Sequence, residues 1–385
     1  MKRIIQYLII IALIALGVVS WIKFDNLNKI LIASQNFNSI SHFKVASIID
    51  LKLNSMSLRQ KVASLFILHT PGTNSSDINS FLDEYNPGGL IFMGDNIPGS
   101  LTELEALTGD IQNHTSFPYL FAVDEEGGVV SRLSSDTYPA AAELKDEPAS
   151  ASFDAFNQRS NLLNRVGLNL NFGIVADITD VPSSFIYSRV FGSIPTLAGE
   201  RVSAAVSGSD GLSLSTLKHF PGHGATPNDS HSSIPTTTKT LLDWQNSDML
   251  SFQDGINAGA DAVMFGHLRF SSVDSLPASL SLRWHEILRS DMGFSGLIVT
   301  DDMIMLQNSG DGQFADPINN AIMAIGAGND LLVYVLGSDK LVADVEIGSL
   351  IDGVVQAVND GRININTLSG SVRRVLSVRR SLLDS

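Results

Sequence analysis

Gly211-Leu-Ser-Leu-Ser-Thr-Leu-Lys-His-Phe-Pro-Gly-His-Gly224 changes character halfway along. From Gly211 to Leu217 it alternates as a short strand does. Pro221, Gly222, Gly224 and Pro227 then forbid a regular element, since proline lacks a donor N–H and glycine favours turns. Lys218 and His219 are therefore expected at the carboxyl end of a strand. The loop beyond them carries three groups suited to proton transfer, His223, Asp229 and His231. Asp229 and His231 are two residues apart, which lets a bent loop lay the carboxylate on the imidazole and orient it.

Outward from this strand the chain repeats one rhythm of short apolar runs separated by helical patterns, as βα units do. Strands are predicted at Ala63 to Leu68, Gly88 to Met93, Pro118 to Asp124, Leu168 to Ile174, Leu212 to Leu217, Ala260 to Phe265, Gly296 to Thr300 and Asp330 to Tyr334. Helices are predicted near 77–85, 100–113, 152–166, 195–207, 241–258, 284–290, 318–327, 347–359 and 365–382. Eight strand candidates with helices between them fit one α/β domain, a single (β/α)8 barrel over residues 56–385, better than two doubly wound domains. Such barrels gather their functional groups at the carboxyl ends of the strands. Asp124, Lys218, His219, His267 and Asp301 all stand there.

Composition narrows the partners. With 25 Lys plus Arg against 40 Asp plus Glu, the net charge is −15 and no basic stripe is visible, which excludes a nucleic-acid backbone as partner. The chain has no cysteine, so disulfides, thiolate metal sites and a lipid-modified N-terminal Cys are excluded. At the N-terminus, Lys2 and Arg3 precede a mostly apolar run from Ile4 to Ile22, close to the roughly 20 residues that span a bilayer. Residues 1–22 are therefore expected to be a signal peptide or membrane anchor. This implies an extracytoplasmic catalytic part that is secreted or tethered to the membrane. Residues 23–55, mixed and rich in Asn and Ser, read as a linker or lead-in to the barrel.

Lys218-His-Phe-Pro-Gly-His-Gly224, a short gap, then Asp229-Ser-His231 and Pro235 resembles the signature of bacterial β-N-acetylhexosaminidases of glycoside hydrolase family 3. The resemblance implies His231 as acid/base, Asp229 as its partner, and Lys218 and His219 as sugar-binding residues. Phe121-Ala-Val-Asp-Glu-Glu-Gly-Gly-Val-Val-Ser-Arg-Leu133 resembles a second family motif, which gives Asp124 and Arg132 binding roles. Val129 departs from it, since the family has a basic residue after the glycines. Ser188-Arg-Val-Phe-Gly192 resembles the family's Arg-Ser-Phe-Gly and adds Arg189, with Val190 in place of a small polar residue. The strand end Thr300-Asp-Asp302 matches the motif whose first Asp, here Asp301, is the nucleophile. An Asp after an apolar strand also serves as a helix N-cap, and Asp302 is expected in that lesser role.

The implied reaction is retaining hydrolysis of terminal β-linked N-acetylglucosamine. Asp301 forms a glycosyl-enzyme while His231 protonates the leaving oxygen and then activates water. With an extracytoplasmic location, peptidoglycan fragments are the expected substrate. Relatives with another catalytic acid act on β-glucosides, and a His acid/base leaves a glycoside phosphorylase open, because neutral imidazole repels phosphate less than a carboxylate does. A metal site built from His219, His223, Asp229 and His231 fits no zinc spacing, and Lys218 beside it repels a cation, so neither metal nor cofactor is expected. A membrane-tethered glycan-binding module without catalysis is the alternative from another class.

Overall fold

Eight apolar runs become the parallel strands β1 (Phe66–Leu68), β2 (Gly89–Phe92), β3 (Leu120–Val123), β4 (Leu170–Val175), β5 (Leu214–Phe220), β6 (Ala262–Phe265), β7 (Leu297–Asp302) and β8 (Leu331–Tyr334). This computed structural model describes residues 48–337 and 341–383. The strands neighbour one another in chain order, and β1 closes the ring on β8, with Phe66 opposite Leu332 and Leu68 opposite Tyr334. The expected (β/α)8 barrel is the observed architecture. Every residue of β1, β2, β3, β4, β6 and β8 is buried. Parallel strands with both faces covered have no solvent side to mark with polar residues, so they read as continuous apolar runs.

The outer helices begin where the sequence supplies caps. Asn74 Oδ1 accepts from the Ser76 and Asp77 N–H groups ahead of Ser75–Tyr85, and Ser100 Oγ accepts from Glu103 ahead of Leu101–Asn113. Pro195 and Pro317 open two others, where a missing N–H goes unmissed.

Three boundaries differ from expectation. Ala63 ends the helix Leu58–Ala63, and β1 starts only at Phe66. The pattern over 241–258 is two helices, Leu241–Gln245 and Asp248–Asn257, broken at Ser247, whose φ of −136° and ψ of −93° are not helical. The strand expected to end at Leu217 runs on to Phe220, so Lys218 and His219 belong to β5 itself. Phe220 explains the extension. Its ring packs between Phe265, Phe252, Trp244 and Trp284 at centroid distances of 4.8, 5.3, 5.7 and 5.8 Å. Burying that ring holds the strand's last residues in the sheet.

The barrel unit starts at Met56. The expected signal or anchor at 1–22 lies outside the described residues, as do residues 23–47 of the lead-in. Residues 48–55, read as lead-in, are helical. Among the described residues no helix is long and apolar enough to cross a membrane.

Candidate active site

The mouth of the barrel is built on an interlocked set of charges. Lys218, 2% exposed, projects from β5 and places Nζ 2.8 Å from Asp124 Oδ1 and 2.6 Å from Glu126 Oε1, both on the segment leaving β3. Arg189, from the short 3-10 turn Tyr187–Arg189, grips the same Glu126 with two bonds, Nε to Oε2 at 2.9 Å and Nη2 to Oε1 at 2.6 Å. Burial opposes a charge on Glu126, but Lys218 and Arg189 outweigh it and hold the carboxyl down at about 2. Burial likewise opposes the Lys218 charge, and Asp124 and Glu126 overcome it and raise the ammonium's pKa. Lys218, Arg189 and Glu126 thus stay ionised where each alone would be costly.

The end of β7 shifts the pKa values of two adjacent carboxylates in opposite directions. Burial works against the charge of Asp301, and the Asp302 N–H at 2.8 Å and the Lys218 ammonium are among the groups that offset it and keep the carboxyl below its usual range. Burial instead pushes Asp302 up to about 7, against the N–H groups of Val335 and Ile304, both 3.1 Å from its Oδ1, and the Asp301 charge adds to the rise. Asp302 is not the N-cap expected of it: Met303 holds that position ahead of the helix Ile304–Asn308, because the strand runs on through Asp302, whose Oδ1 instead bridges the N–H groups of Ile304 and of Val335 at the end of β8. Buried His267 follows β6 and is held neutral. Its Nε2–H donates to Asp302 O at 3.0 Å, so Nδ1 accepts from Ser279 Oγ at 2.7 Å.

Beyond β5, Gly222 leads into the turn His223–Ala225. The His223 backbone N–H donates to Asp177 Oδ1 at 2.6 Å, and its Nε2 lies 3.0 Å from Ser230 Oγ. Asp229 and His231 pair as their spacing predicts. Asp229 Oδ1 lies 2.7 Å from His231 Nδ1 and accepts the His231 backbone N–H at 2.9 Å. These two side chains keep 42% and 61% of their surface exposed, so the dyad is the open part of the site. Although slight burial acts against it, the bonds from His231 lower the Asp229 pKa.

Asp124, Arg189, Lys218, His219 and Asp301 are thus gathered in one electrostatic network, with His219 Nε2 3.4 Å from Arg189 Nη2. Arg132 stands at its edge. Its Nη2 is 3.8 Å from Asp124 Oδ2, its backbone N–H goes to Glu125 Oε2 at 2.9 Å, and its Nε has no hydrogen-bond partner. Val190 is buried against Val175 and Ile186, an apolar setting that accounts for its departure from the family pattern. Val129 is exposed, and nothing in the structure explains its replacing a basic residue.

Sequence reasoning missed three residues here. Glu125 and Glu126 stand inside the quoted motif with no role of their own, and Asp177 lies three residues beyond the predicted fourth strand. Buried Glu125 accepts from the Ser131 hydroxyl and from the N–H groups of Arg132 and Leu133, bending the loop that carries Arg132. Among the described residues no three His, Asp or Glu side chains form a group able to hold a metal ion.

Residues 57–378 match the family described as the glycosyl hydrolase family 3 N terminal domain. The chain is 30% identical over 343 residues to beta-hexosaminidase LpqI of Mycobacterium tuberculosis, covering 84% of this chain and 83% of that protein. It is 33% identical over 257 residues to a beta-hexosaminidase of Nitrosospira multiformis, covering 64% and 72%. Among solved structures, a glycoside hydrolase family 3 beta-N-acetylglucosaminidase from Paenibacillus superposes with a TM-score of 0.78 at 28% identity, over 86% of this chain and 64% of that one. LpqI of M. tuberculosis superposes with a TM-score of 0.75 at 30% identity, over 86% and 95%. With the match running from the first helix of the barrel unit into the last, the chain belongs to glycoside hydrolase family 3 and is a glycosidase.

Proposed function

We propose that the chain is a metal-independent, retaining β-N-acetylhexosaminidase that releases terminal β-linked N-acetylglucosamine. Asp301 attacks the anomeric carbon as His231 gives its Nε2 proton to the leaving oxygen, so the glycosidic bond breaks and a glycosyl-aspartate ester forms. His231, now neutral, takes a proton from water as that water attacks the same carbon, which frees Asp301 and returns the sugar with its original configuration. Asp124, Arg132, Arg189, Lys218 and His219 hold the sugar's hydroxyl groups, and Asp229 orients His231 through Nδ1.

The observation that carries this reading is the contrast at the mouth. Asp301 stays ionised among the rings and ammonium around it, while an exposed Asp–His pair stands on a polar loop. An ionised nucleophile and a separate proton donor are the two parts a retaining glycosidase needs. The name beta-hexosaminidase carried by the relatives supports the N-acetylhexosamine specificity. The apolar run from Ile4 to Ile22 supports an extracytoplasmic enzyme held to the membrane by its N-terminus, for which peptidoglycan fragments are the accessible source of such sugars.

The test pairs a chromogenic β-N-acetylglucosaminide with the matching β-glucoside, using wild type and Asp301→Asn. Release from the first substrate alone, lost in Asp301→Asn and unaffected by exhaustive chelation, is the expected result. Release by Asp301→Asn at the wild-type rate refutes the nucleophile.

A further inference from the structure

The Asp229–His231 pair is held by its own loop, and one ring from a different βα unit reaches it. Phe185 lies on the segment after β4, where Ile186 is fully buried with Val175 and Val190. That anchor leaves the half-buried Phe185 ring facing the loop after β5. Its centroid is 5.3 Å from the His231 ring in an edge-to-face arrangement, with planes at 66°, and 5.7 Å from the His223 ring. The Phe185 backbone N–H donates to Pro227 O at 3.3 Å, a second hold on the same loop. The Arg189 guanidinium lies 5.4 Å from the centre of the same ring. Phe185 therefore touches the loop at both a backbone and a ring position while contacting a residue of the charged network.

We propose that Phe185 is the positioning residue for His231, holding the imidazole edge-on so that its free nitrogen meets the leaving oxygen of the bound glycoside. The inference rests on His231 being the acid. Physically it follows from exposure: a side chain with most of its surface in water has few contacts to select one rotamer, and a ring contact of this geometry favours one of them. Arg189 keeps its two bonds to Glu126 whatever stands at 185, so sugar binding is expected to survive the substitution.

The experiment compares Phe185→Ala, Phe185→Tyr and His231→Ala on two substrates. One is a dinitrophenyl β-N-acetylglucosaminide, whose leaving group departs without a proton; the other is a β-linked N-acetylglucosamine disaccharide, whose leaving alkoxide needs one. Phe185→Ala should lower kcat on the disaccharide by ~10-fold, a part of the ~10²–10⁴ that a general acid contributes, and leave near wild type the rate of the pre-steady-state burst of dinitrophenolate, which reports formation of the glycosyl-enzyme alone and is the rate compared on that substrate. Phe185→Tyr, which keeps the ring, should recover most of that loss. Thermal midpoints of the variants show that each is folded. Equal losses on both substrates, or no loss on the disaccharide, overturn the positioning role if His231→Ala separates the two substrates beside it. If His231→Ala does not separate them, the acid assignment falls and the inference falls with it.

Discussion

Asp177 holds His219 at two atoms: Oδ2 accepts the His219 backbone N–H at 3.1 Å and lies 2.7 Å from the ring's Nδ1. To donate to a carboxylate Nδ1 must carry the proton, so Nε2 turns a lone pair toward Arg189. Burial first, then the Arg189 charge, keeps the ring neutral. A fixed tautomer lets His219 accept a hydrogen bond at the mouth without adding a charge there.

Asp177→Ala is expected to strand the His219 Nδ1–H and the backbone N–H groups of His219 and His223, all buried. Each stranded donor costs about 1–3 kcal/mol, so unfolding in urea should shift by several kcal/mol. Asp177→Asn should not restore the wild-type midpoint, because both carboxylate oxygens accept and an amide offers one acceptor. A wild-type midpoint for the Asn variant contradicts this account.

Glu126→Ala leaves the buried Lys218 and Arg189 charges with fewer partners, and breaking such a set costs about 3–5 kcal/mol. The sign of its pH dependence follows from a carboxyl lowered from 4.5 to about 2 in the folded state. The Glu126 contribution is complete above its ordinary value and is lost as pH falls through the folded one. Acid unfolding followed by circular dichroism should therefore start at higher pH in Glu126→Ala; an onset unchanged from wild type rejects the assignment.

Asp302 and Glu125 act in the opposite direction. Burial raises both to about 7, helped at Asp302 by the Asp301 charge and opposed at Glu125 by the Ser131 hydroxyl and the Arg132 N–H. These groups hold protons in the folded chain that the unfolded chain has released, so their stabilisation is complete below their ordinary values and is lost as pH rises through about 7. An amide at 302 still accepts from Ile304 and Val335 and has no proton to lose. Asp302→Asn should therefore lose less thermal stability than wild type between pH ~5 and ~8. A decline as steep as that of wild type removes Asp302 as the source.

Gly224→Ala tests how the loop that leads to the Asp229–His231 pair is seated. A methyl group there stands 1.9 Å from the carbonyl oxygen of Ile178, a backbone atom unable to step aside. The turn His223–Ala225 has to move, and displacements of this size at a catalytic group cost about 10²-fold in rate. Hydrolysis of the chromogenic N-acetylglucosaminide measures it, and full activity would show that the loop tolerates another seat.

What the sequence determined by itself is local. A strand buried on both faces is a short apolar run, a helix start is a cap or a proline, and the Asp229–His231 bond joins neighbours two residues apart. The barrel, its eight strands and this pair were legible because each signal lies within a few residues of chain. The tertiary structure alone decided which charges meet. Glu126 joins Lys218 and Arg189 across 92 and 63 residues, Asp177 meets His219 across 42, and Phe185 meets a loop from the next βα unit. Neither partner's sequence context marks such a contact, because it exists only once ring closure brings the ends of separate strands to one mouth. The same closure lowers the pKa of Asp301 and raises that of Asp302 beside it, since burial and the neighbours of each carboxylate are set by the fold around them.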